Sequence, residues 1–246
     1  MNSRIVLLNL ISTFLLLALV MPASAQTRTV GVSVGNSFKY SLAVSWSSDD
    51  PSATFPSFLV DTNNTQWGEL TIMYASIVSG NVEGQKTSHY RNGTEITMGW
   101  WLNAYEGHSE NITMSIISAN LAAGDSVYTL QPYNTWIINE TVPRTYLSGV
   151  RDTNHINQTS SNATQSYRYN FYWDKSTGVL VETLQETTTH TGAYTTTWST
   201  DVQIISSNVW TVPEFPTWTS ALLILIALTS ATMVIAKQRQ PKRPFR

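Results

Sequence analysis

Between residues 26 and 211 apolar and polar side chains alternate with a period of two. That regularity restricts the region to β-structure, because successive side chains on a strand point to opposite faces. Val30, Val32 and Val34 alternate with Gly31, Ser33 and Gly35, and Phe38, Tyr40 and Leu42 continue the series. Ile96, Met98, Trp100 and Leu102 oppose Glu95, Thr97, Gly99 and Trp101. Tyr167, Tyr169, Phe171 and Trp173 oppose Arg168, Asn170 and Tyr172, and Tyr194, Trp198, Val202 and Ile204 oppose Thr195, Thr197, Asp201 and Gln203. These patterns predict half-buried antiparallel strands with an aromatic core face. Leu70 to Val78 is apolar on both faces, which predicts a central strand covered on both sides. No stretch of the region holds a helical period for three turns.

Turn residues punctuate the strands at hairpin spacing: Ser79-Gly80-Asn81, Asn92-Gly93, Gly124-Asp125 and Asp174 to Gly178. Residues 152–165 have almost no apolar content and read as an exposed loop. There is no internal repeat and no linker that would divide the region. The expected fold is one all-β domain, residues 26–211, built as an antiparallel curved sheet or a two-layer sandwich.

The two ends predict topology. Ile5 to Val20 is an apolar run after Arg4, and it closes with Ala23-Ser24-Ala25, a small-x-small cleavage box. Residues 1–25 therefore read as a secretory signal peptide cleaved after Ala25. Trp218 to Ala236 is 19 residues without a charge, about 28 Å as a helix, which is enough to cross a bilayer. Residues 237–246 hold five bases and no acid. Positive flanks stay inside, so the N-terminus is expected outside and the C-terminus in the cytoplasm.

Residues 212–217 join the domain to this segment and contain Pro213, Glu214, Phe215 and Pro216. The order Pro-Glu-Phe-Pro, apolar span, basic tail resembles the archaeal PEF-type sorting signal. The resemblance covers residues 212–246 and implies processing by an archaeosortase-like transpeptidase at the membrane, with the ectodomain passed to a surface anchor. Two prolines also keep the segment extended, the state a protease site accepts. The plainer reading is a permanent single-pass anchor. Within the domain, Val30 to Tyr40, Ala119 to Asp125 and Tyr172 to Glu182 resemble archaeal surface domains without an assigned function.

The chain has no cysteine, so neither disulfides nor thiol-based metal sites enter the argument. All 16 acids but only eight of the 14 bases fall in residues 26–217, a net charge near −8. Such a surface excludes a nucleic-acid grip and electrostatic attachment to an anionic membrane. Six sequons, at Asn63, Asn92, Asn111, Asn139, Asn157 and Asn162, make the glycosylation machinery an expected partner. Asn111 and Thr113 are expected on the polar face of a strand opposite Ile112, Met114 and Ile116. Asn139 and Thr141 are expected to oppose Ile138 in the same way.

Chemistry is sparsely signalled. Gly31-Val32-Ser33-Val34-Gly35 has nucleophile-elbow spacing but sits in an alternating β run, where the required strand–turn–helix is missing. Gly80 to Thr87 echoes a phosphate loop with the glycine spacing one short, and reads as a turn and strand. Glu106, His108 and Glu110 would share a strand face and could hold a metal, against a default of solvated loop. Asp49-Asp50-Pro51 is a charged turn with calcium-type oxygens. No carboxylate pair is singled out for glycoside hydrolysis, and no cofactor is expected. Trp101, with polar neighbours on its face, and nearby Tyr105 are the candidates for stacking on a ligand ring. The expectation is a non-catalytic, anchored or sorted, glycosylated surface protein with an envelope, adhesion or ligand-binding role. The alternatives are a surface-anchored glycan hydrolase, or a carrier holding an apolar or glycan ligand in a curved sheet.

Overall fold

The computed structural model describes residues 27–147 and 149–210. The expected signal peptide with Ala23 and Ala25, the expected sorting motif Pro213 to Pro216, the apolar run 218–236 and the basic residues 237–246 lie outside the described residues.

Ten strands form a single antiparallel sheet: β1 Ser37–Ser48, β2 Thr65–Ala75, β3 Asn81–Tyr90, β4 Glu95–Asn103, β5 Ser109–Glu110, β6 Glu140–Tyr146, β7 Gly149–Ser161, β8 Gln165–Asp174, β9 Leu180–Thr191 and β10 Tyr194–Ser207. Their order is β5-β4-β3-β2-β1-β10-β9-β8-β7-β6. Two five-stranded meanders thus join through their first and last strands, β1 and β10, and the sheet does not close. Of the two expected architectures the curved sheet is found and the two-layer sandwich is not. One short helix, α1 Val60–Asn64, lies in the β1–β2 connection. Among the described residues no helix is long and apolar enough to cross a membrane.

Four ladder irregularities, at Lys39/Tyr40, Thr65/Trp67, Ile72/Tyr74 and Tyr172/Trp173, insert extra residues that bend the strands. The sheet curls until Lys86 on β3 and Phe171 on β8, five strands apart, line one cavity. Residues 111–139 form a strap across the lower part of the concave face. Ile117 N–H donates to Gly178 O (2.9 Å) and Leu180 N–H to Ser115 O (2.8 Å). The Trp173 indole donates to Met114 O (2.7 Å). Arg28 clamps the strap from the N-terminal side, donating to Ser126 O (2.7 Å) and Val127 O (2.8 Å).

Two core clusters fill the space beneath. One joins Phe38, Leu70, Ile72, Val82, Trp100 and Leu102 to Val30 and Val32 of the N-terminal segment. The other joins Ile117, Leu121, Val127 and Ile138 of the strap to Ile156, Phe171 and Trp173. Burying these side chains is the main term that stabilises the fold.

Several sequence expectations are corrected. The exposed loop at 152–165 is strand β7 and the start of β8. It forms with Ile156 as its buried apolar anchor because its buried polar groups are satisfied: Thr153 Oγ1 donates to Val142 O (2.8 Å) and Asn154 Nδ2 to Leu121 O (2.9 Å). The strand expected through Asn111 to Ile116 is irregular chain, since Asn111 (φ 62°) and Met114 (φ 54°) leave the extended region. Asn139 precedes β6 instead of lying within it. Leu70 to Val78 is not covered on both faces. Leu70 and Ile72 are buried, but the bulge at Ile72/Tyr74 turns Met73 and Tyr74 outward, and Ile77 and Val78 stand exposed in the β2–β3 turn. Val30 and Val32 are buried but lie outside the sheet, and Val34 is exposed in a turn.

Candidate functional site

The upper part of the concavity, which the strap leaves uncovered, is a cavity of about 660 Å³, within the roughly 300–1,000 Å³ typical of ligand sites. Strand register builds its floor. Leu42 pairs with Val202, Val202 with Thr183, and Thr183 with Phe171. On the other side Leu70 pairs with Lys86, and Lys86 with Met98. The period-two pattern brings all these side chains to one face. Ile112 and Met114 of the strap close the inner end, and Asp61 and Thr62 of α1 stand at the mouth.

Glycine makes room in the core next to the cavity. A Cβ on Gly84 would lie 2.1 Å from Thr71 O and 2.6 Å from the Trp100 ring. The bare position gives the buried Trp100 ring room against β3. On β8 the rings of Tyr167, Tyr169, Phe171 and Trp173 form a stacked ladder with centroids 6.3, 6.3 and 5.3 Å apart. Trp136 of the strap packs on Tyr169 (6.0 Å) and edge-on to Phe171 (5.5 Å). Such offset contacts stabilise aromatic walls beyond their area burial. At the upper end Phe55 meets Trp46 (6.1 Å) and Phe58 meets Trp198 (5.4 Å).

Two polar groups stand out in this apolar setting. Lys86 is partly buried, flanked by Leu70 and Met98 on the adjacent strands, and among the described residues it has no ion pair or hydrogen bond. The Thr183 hydroxyl is buried, lines the cavity and has no hydrogen-bond partner among the described residues. Buried polar groups are ordinarily satisfied, so an unpartnered one in a cavity wall points to a ligand. Glu69 also borders the cavity, but strand alternation places its carboxylate on the convex side with Lys39, where it accepts from Ser37 Oγ. Tyr40 is held neutral by burial, which pushes its hydroxyl pKa far up, and it donates to Leu180 O (2.9 Å).

The convex face carries a separate polar network. Arg144 Nη2 donates to both oxygens of Glu182 (3.0 and 2.8 Å), and Tyr146 OH donates to Glu182 Oε2 (2.8 Å). Arg144 also lies over the Tyr172 ring at 4.1 Å, and the His155 ring stacks on Tyr172 with centroids 4.2 Å apart. His155 Nδ1 is 2.9 Å from Glu140 Oε1. Burial, aided by the charge of Glu182, raises the pKa of Asp201. These carboxylates do not line the cavity, and Glu182 accepts three hydrogen bonds from two donors, Arg144 Nη2 and Tyr146 OH. The network ties β6, β8 and β9 together across the sheet.

The residues singled out in the sequence do not converge. Trp101 is on the convex face, 40 % exposed, with its indole N–H donating to Glu110 Oε2 (3.0 Å). Tyr105 is in the turn after β4 and donates its hydroxyl to Ile77 O (2.6 Å). Glu106 Oε2 is 3.7 Å from His108 Nδ1, whereas Glu110 is directed to Trp101. Among the described residues no cluster of three or more His, Asp or Glu is placed to hold a metal. Asp50 closes a turn by accepting from Ser52 N and Oγ, and these bonds lower its pKa. Ser33 is followed by strand β1, with no helix after it. All six sequon asparagines are solvent-exposed, and Asn111 also borders the cavity. Sequence reasoning missed Lys86 and Thr183. Their alternation in β3 and β9 was visible, but which face of each strand looks inward was not.

No family model matches the chain, and no curated protein is significantly similar to it.

Proposed function

We propose that the chain is an exported, glycosylated cell-surface protein, non-catalytic, whose β domain captures an amphipathic ligand: an apolar chain or ring system with an anionic end. The observation that carries this reading is the unpaired ammonium of Lys86 set in an apolar row inside the concave cavity. An apolar tail lies along Leu42, Val202, Phe171 and Met114, and the anionic end meets Lys86, with the Thr183 hydroxyl as a further donor. A charge-assisted bond in a partly dry site contributes more than a neutral one. A purely apolar ligand would leave both groups unpaired.

Membrane attachment through residues 218–236, and sorting at Pro213, Glu214, Phe215 and Pro216 by an archaeosortase-like enzyme, rest on the sequence pattern at the C-terminus. Mass spectrometry of C-terminal peptides from host membranes tests the latter. Peptides ending near Pro213 to Pro216 with an adduct are expected, and recovery of the intact basic tail on the mature protein would refute sorting.

The binding reading is tested on the exported region, residues 26–211, whose two core clusters lie wholly within it. Saturable binding of a fluorescent alkyl probe is expected. An alkyl carboxylate or sulfate should displace it, and the alcohol of equal chain length should displace it more weakly. Equal displacement by both, or no saturable binding, would overturn the proposal.

A further inference from the structure

The rim at the end of the sheet from which the chain departs toward residue 218 carries exposed apolar side chains on several of its turns, with Glu106 and His108 of the β4–β5 turn as the charged and polar tip beside them. Strand directions place the start of β1, the β2–β3 turn, the β6–β7 turn and the end of β10 at this one end. Ile77 and Val78 in the β2–β3 turn are 70 % and 90 % exposed, Val34 before β1 is 65 % and Val150 at the start of β7 is 71 %. Neither Ser76-Ile77-Val78-Ser79-Gly80 nor Leu147-Ser148-Gly149-Val150 contains a charged residue. Isolated exposed apolar residues need no explanation, but uncharged apolar tips gathered at one end of an otherwise acidic domain do.

The exit of the chain is pinned to the same rim. Asn208 Nδ2 donates to Gly35 O (2.8 Å) and Asn208 Oδ1 accepts from Ser37 N (2.8 Å). Trp210 is buried against Phe38 (5.7 Å between ring centroids) and under the Arg151 guanidinium (4.6 Å). The chain therefore leaves from a fixed point beside Val34. Seven residues, 211–217, separate that point from Trp218, a reach of at most about 25 Å when fully extended. A linker that short holds the rim next to whatever residues 218–236 enter.

We propose that this rim seats on the lipid surface of the membrane that holds the chain, with Val34, Ile77, Val78 and Val150 entering the interfacial layer. The proposal rests on the reading of residues 218–236 as a membrane anchor, and it holds equally if sorting replaces that segment by a lipid near Pro213 to Pro216. Attachment is apolar, since the tips carry no bases and the domain is acidic; it resembles the shallow insertion of interfacial elements. The opposite end also shows Phe55 and Phe58, but these pack edge-on against Trp46 and Trp198 beside the cavity mouth. Seating on the rim directs that mouth, at α1, away from the bilayer, so ligand arrives from outside.

The full chain lacks cysteine, so single labels are clean. Val78→Cys, Val150→Cys and, at the far end in the β7–β8 turn, Ala163→Cys are labelled with an environment-sensitive fluorophore. The full-length protein is reconstituted in uncharged phosphatidylcholine vesicles carrying a headgroup-proximal quencher. Several-fold stronger quenching at 78 and 150 than at 163, unchanged between low and high salt, is the expected result. Flotation after a carbonate wash reports the anchor separately. Protein that floats while the labels at 78 and 150 are quenched no more than that at 163 overturns the seating and leaves the anchor intact. Protein that does not float, with all three labels in water, overturns both.

Discussion

Asp174, the last residue of β8, organises the β8–β9 turn through four accepted hydrogen bonds. Its side chain is 2 % exposed. Oδ1 accepts from Ser176 Oγ (2.7 Å), Thr177 N (2.8 Å) and Thr177 Oγ1 (2.7 Å), and Oδ2 accepts from Arg151 Nε (2.6 Å). Burial by itself would raise the carboxyl pKa. The bonds from Arg151, Ser176 and Thr177 and the charge of Arg151 outweigh it and hold the pKa below the ordinary carboxylate value. Because the division of labour between the two oxygens is clean, Asp174→Asn dissects it. The amide oxygen can retain the three turn bonds, while the amide nitrogen meets Arg151 donor to donor. The expected loss is one charge-assisted bond, about 2 kcal/mol given that Arg151 is partly exposed and can recruit water. For a domain of this size that corresponds to a fall in Tm of about 4–8 °C. Asp174→Ala removes all four bonds and should cost about 3–5 kcal/mol.

A carboxyl whose folded pKa is depressed stabilises the fold fully above its unfolded value, near 4, and loses that contribution as pH falls toward the folded value. Urea unfolding of wild type and Asp174→Asn from pH 7 downward should therefore show a gap that is constant to about pH 5 and narrows below it. The other carboxylates titrate alike in both proteins, so the difference isolates this one. Equal stabilities at pH 7, or a gap that persists undiminished through the acid range, would refute the assignment of the turn's stability to the ionised carboxylate.

Lys86→Met should preserve folding and reduce the preference for an anionic amphiphile over its neutral analogue by about 10- to 100-fold, the equivalent of one charge-assisted bond; competition titrations check it. Thr183→Val should leave the unliganded domain as stable or up to about 2 kcal/mol more stable, because it removes a buried hydroxyl with no partner, and a melt showing clear destabilisation would mean the hydroxyl is satisfied. Gly178→Ala should prevent accumulation of folded protein: the residue has φ +72° and its Cβ would lie 2.1 Å from Ile117 O, backbone that cannot retreat without releasing the strap. Leu102→Ala, at a site 2 % exposed, should cost about 2–5 kcal/mol in chemical unfolding, whereas Trp101→Ala, one residue away on the outer face, should change stability by no more than about 0.5 kcal/mol.

Local regularities were legible and global ones were not. The strands β4, β8 and β10, the turn at Asp174 to Gly178 and the face shared by Tyr167, Tyr169, Phe171 and Trp173 appear in the structure, although Ile96, Met98 and Tyr194, expected on the core face, are exposed where β4 and β10 extend beyond the packed core. The reading failed where polar residues are buried with partners, as at Thr153, Asn154 and His155 in β7. It also failed where apolar residues serve an irregular segment, as in the strap at Ile112 to Ile117. Periodicity reports how one segment distributes its side chains; it does not report whether a partner will satisfy a buried amide or whether a positive φ breaks the run.

The sequence alone determined that residues 27–210 are mainly β-structure with an aromatic face, that residues 26–217 are acidic and the chain cysteine-free, and that an uncharged apolar run follows; these are properties of composition and local spacing. Only the tertiary structure decided that β1 and β10 join two meanders into one open sheet, that the strap crosses the lower part of its concave face, and that Lys86 and Thr183 both line the cavity left open above it. Those outcomes depend on contacts between residues as many as 173 positions apart, which the pairing of strands creates and no local pattern encodes.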